Sequence, residues 1–187
     1  MNRLERLLAD ARVGVLAEES SAFHEARFDS AQERETATDL LAASPGPTAL
    51  LLLLALRREA PEAYAAVPAS ARAETLAAAL REYAVLNDFG YLDEDGNSFD
   101  REAARALLEL GTDAVPALRP LLDDLQPGPL AGSEESTIAY ILGLRRADFA
   151  YNYLARILGC RPEFDPDPMI RDDHLAAMRT RLDAERR

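Results

Sequence analysis

The sequence contains no lysine and no tryptophan, and it has only one cysteine and two histidines among 187 residues. A single cysteine, Cys160, cannot form a disulfide within the chain, so we expect an inert thiol and a reducing compartment. His24 has no second histidine four residues later, which excludes the usual zinc-protease spacing. We expect both His24 and His174 to be surface residues.

Long hydrophobic runs are also missing. The longest, residues 49–56, falls far short of the roughly 20 apolar residues that a membrane-spanning helix needs. Charges are spread through residues 1–16, unlike the apolar centre of a signal peptide. We therefore predict a cytoplasmic protein with no membrane partner.

Positive charge is scarce, since 21 basic residues face 33 acidic ones and the formal net charge is −12. Proteins that bind nucleic acid or anionic membranes need clustered positive charge, so the sequence argues against both partners. The common hydrolase, P-loop and dinucleotide-binding motifs do not occur. Nothing in the sequence therefore predicts a catalytic residue or a cofactor.

Alanine and leucine make up much of the apolar content of 48%. They favour helices, and no segment shows the alternation of a half-buried strand. We predict an all-α fold of stacked antiparallel helical hairpins without a sheet, forming one domain. It comprises an N-terminal helical segment (1–44), a core (45–160), and an extended segment with a C-terminal helix (161–187).

Within this domain, the apolar residues 48–59 predict a central helix covered by its neighbours. The polar residues 20–38 form the part that we expect to be most mobile. Pro120 should kink or shorten the helix that contains it. Side-chain oxygens suited to cap the first turn of a helix predict four helix starts, at Ser70, Asp100, Asp113 and Ser133.

The segment ARALLELGTDAVPALRPLLDD, residues 104–124, resembles a HEAT repeat: a helix, a glycine-containing turn and a second helix. Residues 48–86 look like a similar unit, and residues 133–159 like a more divergent one, near the roughly 40-residue period of such repeats. The chain also resembles uncharacterised bacterial HEAT-like proteins in its motifs NDFGYL and SEEST. This resemblance implies a binding surface more than catalysis.

An acidic loop offers one candidate metal site. With Gly96 at the sixth position of an EF-hand loop, Asp93, Asp95 and Glu102 fall on calcium-ligand positions. The first position is Tyr91, which has no carboxylate. An Asp-Gly turn followed by a helix is the alternative.

A second candidate site combines Arg145, Arg146, Asp148 and Tyr151. On a continuous helix these residues can present a guanidinium, a carboxylate and a phenol to a partner or a small anion. The alternative is an Arg–Asp ion pair that ties this hairpin to the next one.

Three hypotheses for function follow. The first is a non-catalytic HEAT-like module, an adaptor or scaffold, that binds another protein. The second is a small-ligand or divalent-ion-dependent activity that uses the acidic loop and the region from Arg145 to Tyr153. The third is an acidic antagonist, of the immunity type, that binds a basic partner.

Overall fold

A computed structural model describes residues 3–83, 86–90, 92 and 100–184. The described residues form helices and no β-strand, which confirms the all-α prediction. The backbone contacts group the chain into two compact units, Met1–Ala84 and Val85–Arg187, here called unit 1 and unit 2. The stacking of hairpins and the single-domain organisation stay predictions.

The described residues of unit 1, 3–83, form six α-helices and a 3₁₀ turn at Pro47–Ala49. The helices are, in chain order, α1 (Arg3–Arg12), α2 (Ser21–His24), α3 (Ala31–Ala43), α4 (Leu50–Glu59), α5 (Pro61–Ala66) and α6 (Ala69–Glu82).

Helix α4 is the centre of unit 1. Every residue from Leu50 to Leu56 is fully buried, and α4 contacts all five other helices of the unit. A helix that is apolar on all sides can be stable in water only when neighbours cover it on all sides. The predicted central helix is confirmed, although its first turn, Pro47–Ala49, is a 3₁₀ turn.

The polar segment after α1 is tied to the unit by specific contacts. The hydroxyl of Ser20 accepts a hydrogen bond from the N–H of Phe23 at 3.0 Å, which caps α2. The Arg58 guanidinium lies 4.1 Å from the centre of the Phe23 ring and donates to the Phe23 carbonyl. A cation over an aromatic face is favourable, and here it links α2 to the end of α4.

In unit 2, the residues that the structure describes form five α-helices and three 3₁₀ segments. The α-helices are α7 (Glu102–Glu109), α8 (Val115–Leu118), α9 (Ser133–Leu142), α10 (Arg146–Ile157) and α11 (Pro168–Ala184). The 3₁₀ segments are Asn87–Phe89, Gly111–Ala114 and Arg119–Asp123. Helix α10 is central, since it packs against α7, α8, α11 and the 3₁₀ segment Arg119–Asp123.

The loop of residues 126–131 passes beside the start of α10. The N–H of Gly128 donates to the Leu144 carbonyl at 2.8 Å, and a Cβ on Gly128 would lie only 3.1 Å from the Phe149 ring. The Asn87 side chain exchanges two hydrogen bonds with the backbone of Ala131. This pairing satisfies the polar groups of a partly buried loop.

The structure corrects three predicted helix starts. Ser70 lies inside the first turn of α6, whose N-cap is Pro68. The N-cap of α7 is Arg101 and not Asp100. Asp113 lies in a 3₁₀ segment, and Ala114 precedes α8. Among the described residues, none of these three helices has a side-chain hydrogen bond at its N-cap. Such a bond contributes only about 1 kcal/mol, so a capping residue in the sequence is a weak guide to where a helix begins.

Helix α9 begins at Ser133, with Gly132 at its N-cap, so the predicted start is wrong by one residue. Pro120 has the predicted effect, because the regular helix α8 ends at Leu118 and continues only as a 3₁₀ segment. A proline ring removes one N–H donor and disfavours the preceding α-helical turn. None of the described helices has the length and apolar content required to cross a membrane.

We predict that Leu52→Asp unfolds unit 1, because it places a carboxylate without a partner at a fully buried position of α4. The free energy of unfolding should fall by more than about 4 kcal/mol. Circular dichroism during urea unfolding measures this loss. Leu40→Asp, at an exposed position of α3, is the control and should cost less than about 1 kcal/mol. A folded Leu52→Asp protein as stable as the control would disprove the assignment of α4 as the core.

Candidate functional site

The carboxylate of Asp148 is the centre of a buried ion-pair network at the start of α10. Its Oδ1 accepts from Nη2 of Arg145 at 2.9 Å, and its Oδ2 accepts from the Arg145 backbone N–H at 2.9 Å and from Nε at 3.2 Å. The side chain of Asp148 is only 3% exposed. This carboxylate therefore caps the helix through the backbone and holds a guanidinium with paired hydrogen bonds.

Arg171 of α11 completes the network from the other side. Its Nε lies 3.2 Å from Oδ2 of Asp148, and its side chain is 4% exposed. The rest of the guanidinium donates to four backbone carbonyls, those of Leu142, Gly143, Asp165 and Pro166. The first two belong to the C-terminal end of α9, where a positive charge is favoured by the helix dipole. Arg171 thus joins α9, α10, α11 and the loop before α11.

The network leaves few polar groups available to a ligand. Arg145 also donates to Asp172 at 2.6 Å. Burial acts to lower the pKa of Arg145, but the hydrogen bonds and charges of Asp148 and Asp172 outweigh it, and the pKa is raised overall. The guanidinium therefore stays charged, and its donors are directed at these two carboxylates.

The other predicted binding residues lie apart from this network or at its edge. Arg146 forms an ion pair with Asp124 at 3.5 Å. Tyr151 stacks on His174, with ring centres 5.7 Å apart and the rings inclined by 15°. The prediction that His24 is a surface residue is confirmed, but His174 is half-buried by this stacking.

A narrow recess opens between α10 and α11, beside Tyr151, His174 and Arg171. The Nε2 atom of His174 lies 3.4 Å from a carboxylate oxygen of Glu163 at its rim. Burial raises the pKa of the Tyr151 phenol. The recess has room for about one water molecule, far less than the 300–1,000 Å³ typical of a small-molecule site.

The predicted calcium site is only partly visible. Asp93 and Asp95 lie outside the described residues, whereas Glu102 is in the first turn of α7. Among the residues that the structure describes, no three His, Cys, Asp or Glu side chains are arranged to hold a metal ion. Cys160 accepts a contact from the Arg181 guanidinium, and Arg181 also donates to the Leu158 carbonyl.

Helix α9 carries a feature that the sequence analysis did not single out. None of its described residues is buried, although its second half is apolar. The exposed fractions are 41% for Ile138, 88% for Tyr140 and 71% for Ile141. Two further exposed apolar residues, Met169 and Ile170, lie in the first turn of α11. These five residues are called the α9–α11 surface below.

The position of this surface follows from the contacts that hold α9. Its start is tied by the Ser136 hydroxyl, which donates to the Leu130 carbonyl at 2.6 Å. Its end stops at Gly143, whose φ of 56° allows the left-handed turn that closes a helix. There Arg171 binds the last carbonyls, so the first turn of α11 lies at the end of α9. These contacts hold both ends of α9, and the side chains of Ile138, Tyr140 and Ile141 between them are exposed to water.

A signal for this surface was present in the sequence. The apolar residues at positions 138–142 follow one another without the three- and four-residue spacing of a helix with one buried face. Such a pattern indicates a fully buried helix or a helix that binds a partner. The sequence alone could not distinguish them.

No protein-family model matches this chain, and no curated protein or solved structure matches it either.

We predict that Asp148→Asn strongly destabilises unit 2, because it leaves the buried guanidinium of Arg171 without its counter-charge. Removal of one partner of a buried pair costs about 3–5 kcal/mol. Asp172→Asn is the matched control, since its side chain is 56% exposed and should lose less than about 1 kcal/mol. Urea unfolding of both variants measures the difference. Equal midpoints would show that the Asp148 network contributes no more than a surface ion pair.

A second prediction concerns alkaline stability. Tyr153 is fully buried and donates to the Phe89 carbonyl at 2.6 Å, and burial raises the pKa of its phenol well above 10. The neutral Tyr153 phenol makes its full contribution to the free energy of unfolding below pH 10. This contribution is lost as the pH rises towards the pKa of Tyr153 in the folded state, because in that range the phenol ionises only in the unfolded chain. The loss should approach about 1.4 kcal/mol per pH unit for this group.

Unfolding in urea from pH 8 to 11.5 tests this prediction. Tyr153→Phe should be less stable at pH 8 but should lose less stability at high pH than the native chain. Tyr140→Phe, at the exposed tyrosine of α9, should keep the native slope. The same slope in all three proteins would contradict the role assigned to Tyr153.

Proposed function

We propose that this chain is a non-catalytic protein-binding module and that the α9–α11 surface is its contact site. The observation that carries the proposal is the apolar second half of α9, in which Ile138, Tyr140 and Ile141 are exposed to water. Clustered exposed apolar side chains are typical of surfaces that bind another protein. Tyrosine and methionine, represented by Tyr140 and Met169, are enriched in such interfaces.

The alternative of a small-ligand activity at Arg145, Asp148 and Tyr151 has less support. Asp148 already binds two arginines, and the adjacent recess admits little more than water. A binding site needs polar groups that remain available and a cavity that encloses the ligand. We therefore interpret this cluster as the structural ion pair that the sequence left open.

The alternative of an acidic antagonist also has less support. Such a protein would present a continuous acidic face, whereas arginines neutralise several acids of unit 2. Asp123, Asp124 and Asp183 pair with Arg179, Arg146 and Arg119, respectively. A HEAT-like arrangement and a cytoplasmic location fit the proposal of a binding module and form part of it.

Photo-crosslinking tests this function directly. We expect a benzophenone amino acid at position 140 to crosslink a defined protein in the native lysate, because Tyr140 points into solvent on the proposed surface. The same probe at Val13, an exposed residue that directly follows α1, is the control for non-specific capture. Mass spectrometry identifies the crosslinked species.

A second substitution makes this experiment specific. Ile141→Asp should remove the crosslink from position 140 and leave the circular dichroism spectrum unchanged, because Ile141 is exposed. Leu40→Asp, an equivalent change on α3, should leave the crosslink in place. Identical products from positions 140 and 13, or a crosslink that survives Ile141→Asp, would refute the assignment of the surface.

A further inference from the structure

The α9–α11 surface is bordered by acidic side chains. Glu134 is exposed in the first turn of α9, one turn before Ile138. On α11, Asp173 is exposed and follows Met169 by four residues, which places the two side chains next to each other along the helix. Neither Glu134 nor Asp173 forms an ion pair with any other described residue.

Basic side chains near this surface are already engaged. The sequence has four acidic residues and no basic residue from position 123 to position 144. Arg145, which follows, donates to Asp148 and Asp172, and Arg171 is buried in the same network. The surface therefore combines an apolar centre with negative charges that the chain itself does not neutralise.

We infer, on the basis of the function proposed above, that the partner presents an amphipathic helix whose flanks carry lysine or arginine. Its apolar stripe packs on Ile138 and Ile141, which lie three positions apart on one face of α9. Charge complementarity supports the basic flanks, because Glu134 and Asp173 are exposed acids one helical turn from Ile138 and Met169, respectively. A helix is favoured because the described residues offer no strand edge to which an extended peptide could pair.

A second copy of this chain is a poorer occupant of the surface. Two copies related by a two-fold axis would bring the same acidic border together, and each copy has a formal net charge of −12. Like charges at an interface oppose association, whereas a basic helix brings opposite charges to Glu134 and Asp173.

The experiment uses the full-length chain and three synthetic helical peptides with the same leucine positions. Their polar positions are all lysine, all glutamine or all glutamate, and fluorescence anisotropy measures the binding of each. We expect the lysine peptide to bind at least about tenfold more tightly than the glutamine peptide, and the glutamate peptide to bind most weakly. The advantage of the lysine peptide should shrink as salt is added.

Matched variants separate the surface from the overall charge. The double variant Glu134→Gln, Asp173→Asn should weaken the binding of the lysine peptide about three- to tenfold, as expected for the loss of two exposed charge pairs. Glu35→Gln with Glu74→Gln removes the same charge from exposed positions of α3 and α6, and should change binding less than about twofold. Ile141→Ser should weaken the binding of both the lysine peptide and the glutamine peptide.

Each other outcome overturns part of the account. Equal binding of the lysine and glutamine peptides, both weakened by Ile141→Ser, overturns the basic partner and leaves the proposed function intact. Two results would show non-specific attraction and also overturn the inference. In the first, Ile141→Ser leaves the binding of the lysine peptide unchanged. In the second, the Glu134/Asp173 and Glu35/Glu74 double variants weaken that binding equally.

The remaining outcomes identify which proposal fails. If none of the three peptides binds but position 140 gives a specific crosslink, only the inference of a basic helical partner is overturned. Failure of the peptides together with the absence of that crosslink overturns the proposed function as well. Light scattering that detects a dimer in the native chain but not in Ile141→Ser assigns the surface to a second copy and overturns the inference.

Discussion

The buried guanidinium of Arg171 is the constraint on which the arrangement of α9, α10 and α11 depends. A buried positive charge must be paired and its donors must be satisfied, or the folded state loses several kcal/mol. The charge of Arg171 is paired with Asp148, and its two terminal nitrogens donate to the last carbonyls of α9 and to the loop before α11. Its position therefore fixes the end of one helix against the starts of two others.

The same constraint explains why the candidate site of unit 2 is apolar. Arg145 and Asp148, the charged residues of the site predicted from the sequence, form an ion pair with each other at the start of α10. The start of α9 is attached to the unit through the Ser136 hydroxyl, and its end through the backbone carbonyls that Arg171 binds. Ile138, Tyr140 and Ile141 remain exposed to water, and these are the residues that we propose as the contact site.

The sequence predicted those features that follow from local composition. The run of leucines in α4 can only form a covered helix, and Pro120 can only interrupt a regular one, so both predictions were confirmed. The helix starts at Ser70, Asp100 and Asp113 were wrong, because a side-chain cap contributes only about 1 kcal/mol and is a weak guide to where a helix begins. Arg171 was not singled out, since its partners lie 23 and 29 positions away in the chain and no local pattern shows that they meet.

Hydroxyl-radical footprinting of the free chain tests the central claim, that the α9–α11 surface is exposed until a partner covers it. Tyr140 and Met169 should be oxidised rapidly and the buried Tyr153 slowly, because their exposed fractions are 88%, 76% and 0%. Addition of the lysine peptide should protect Tyr140 and Met169 and leave the reactivity of other exposed residues unchanged. Slow oxidation of Tyr140 in the free monomer, at a rate similar to that of Tyr153, would contradict the account.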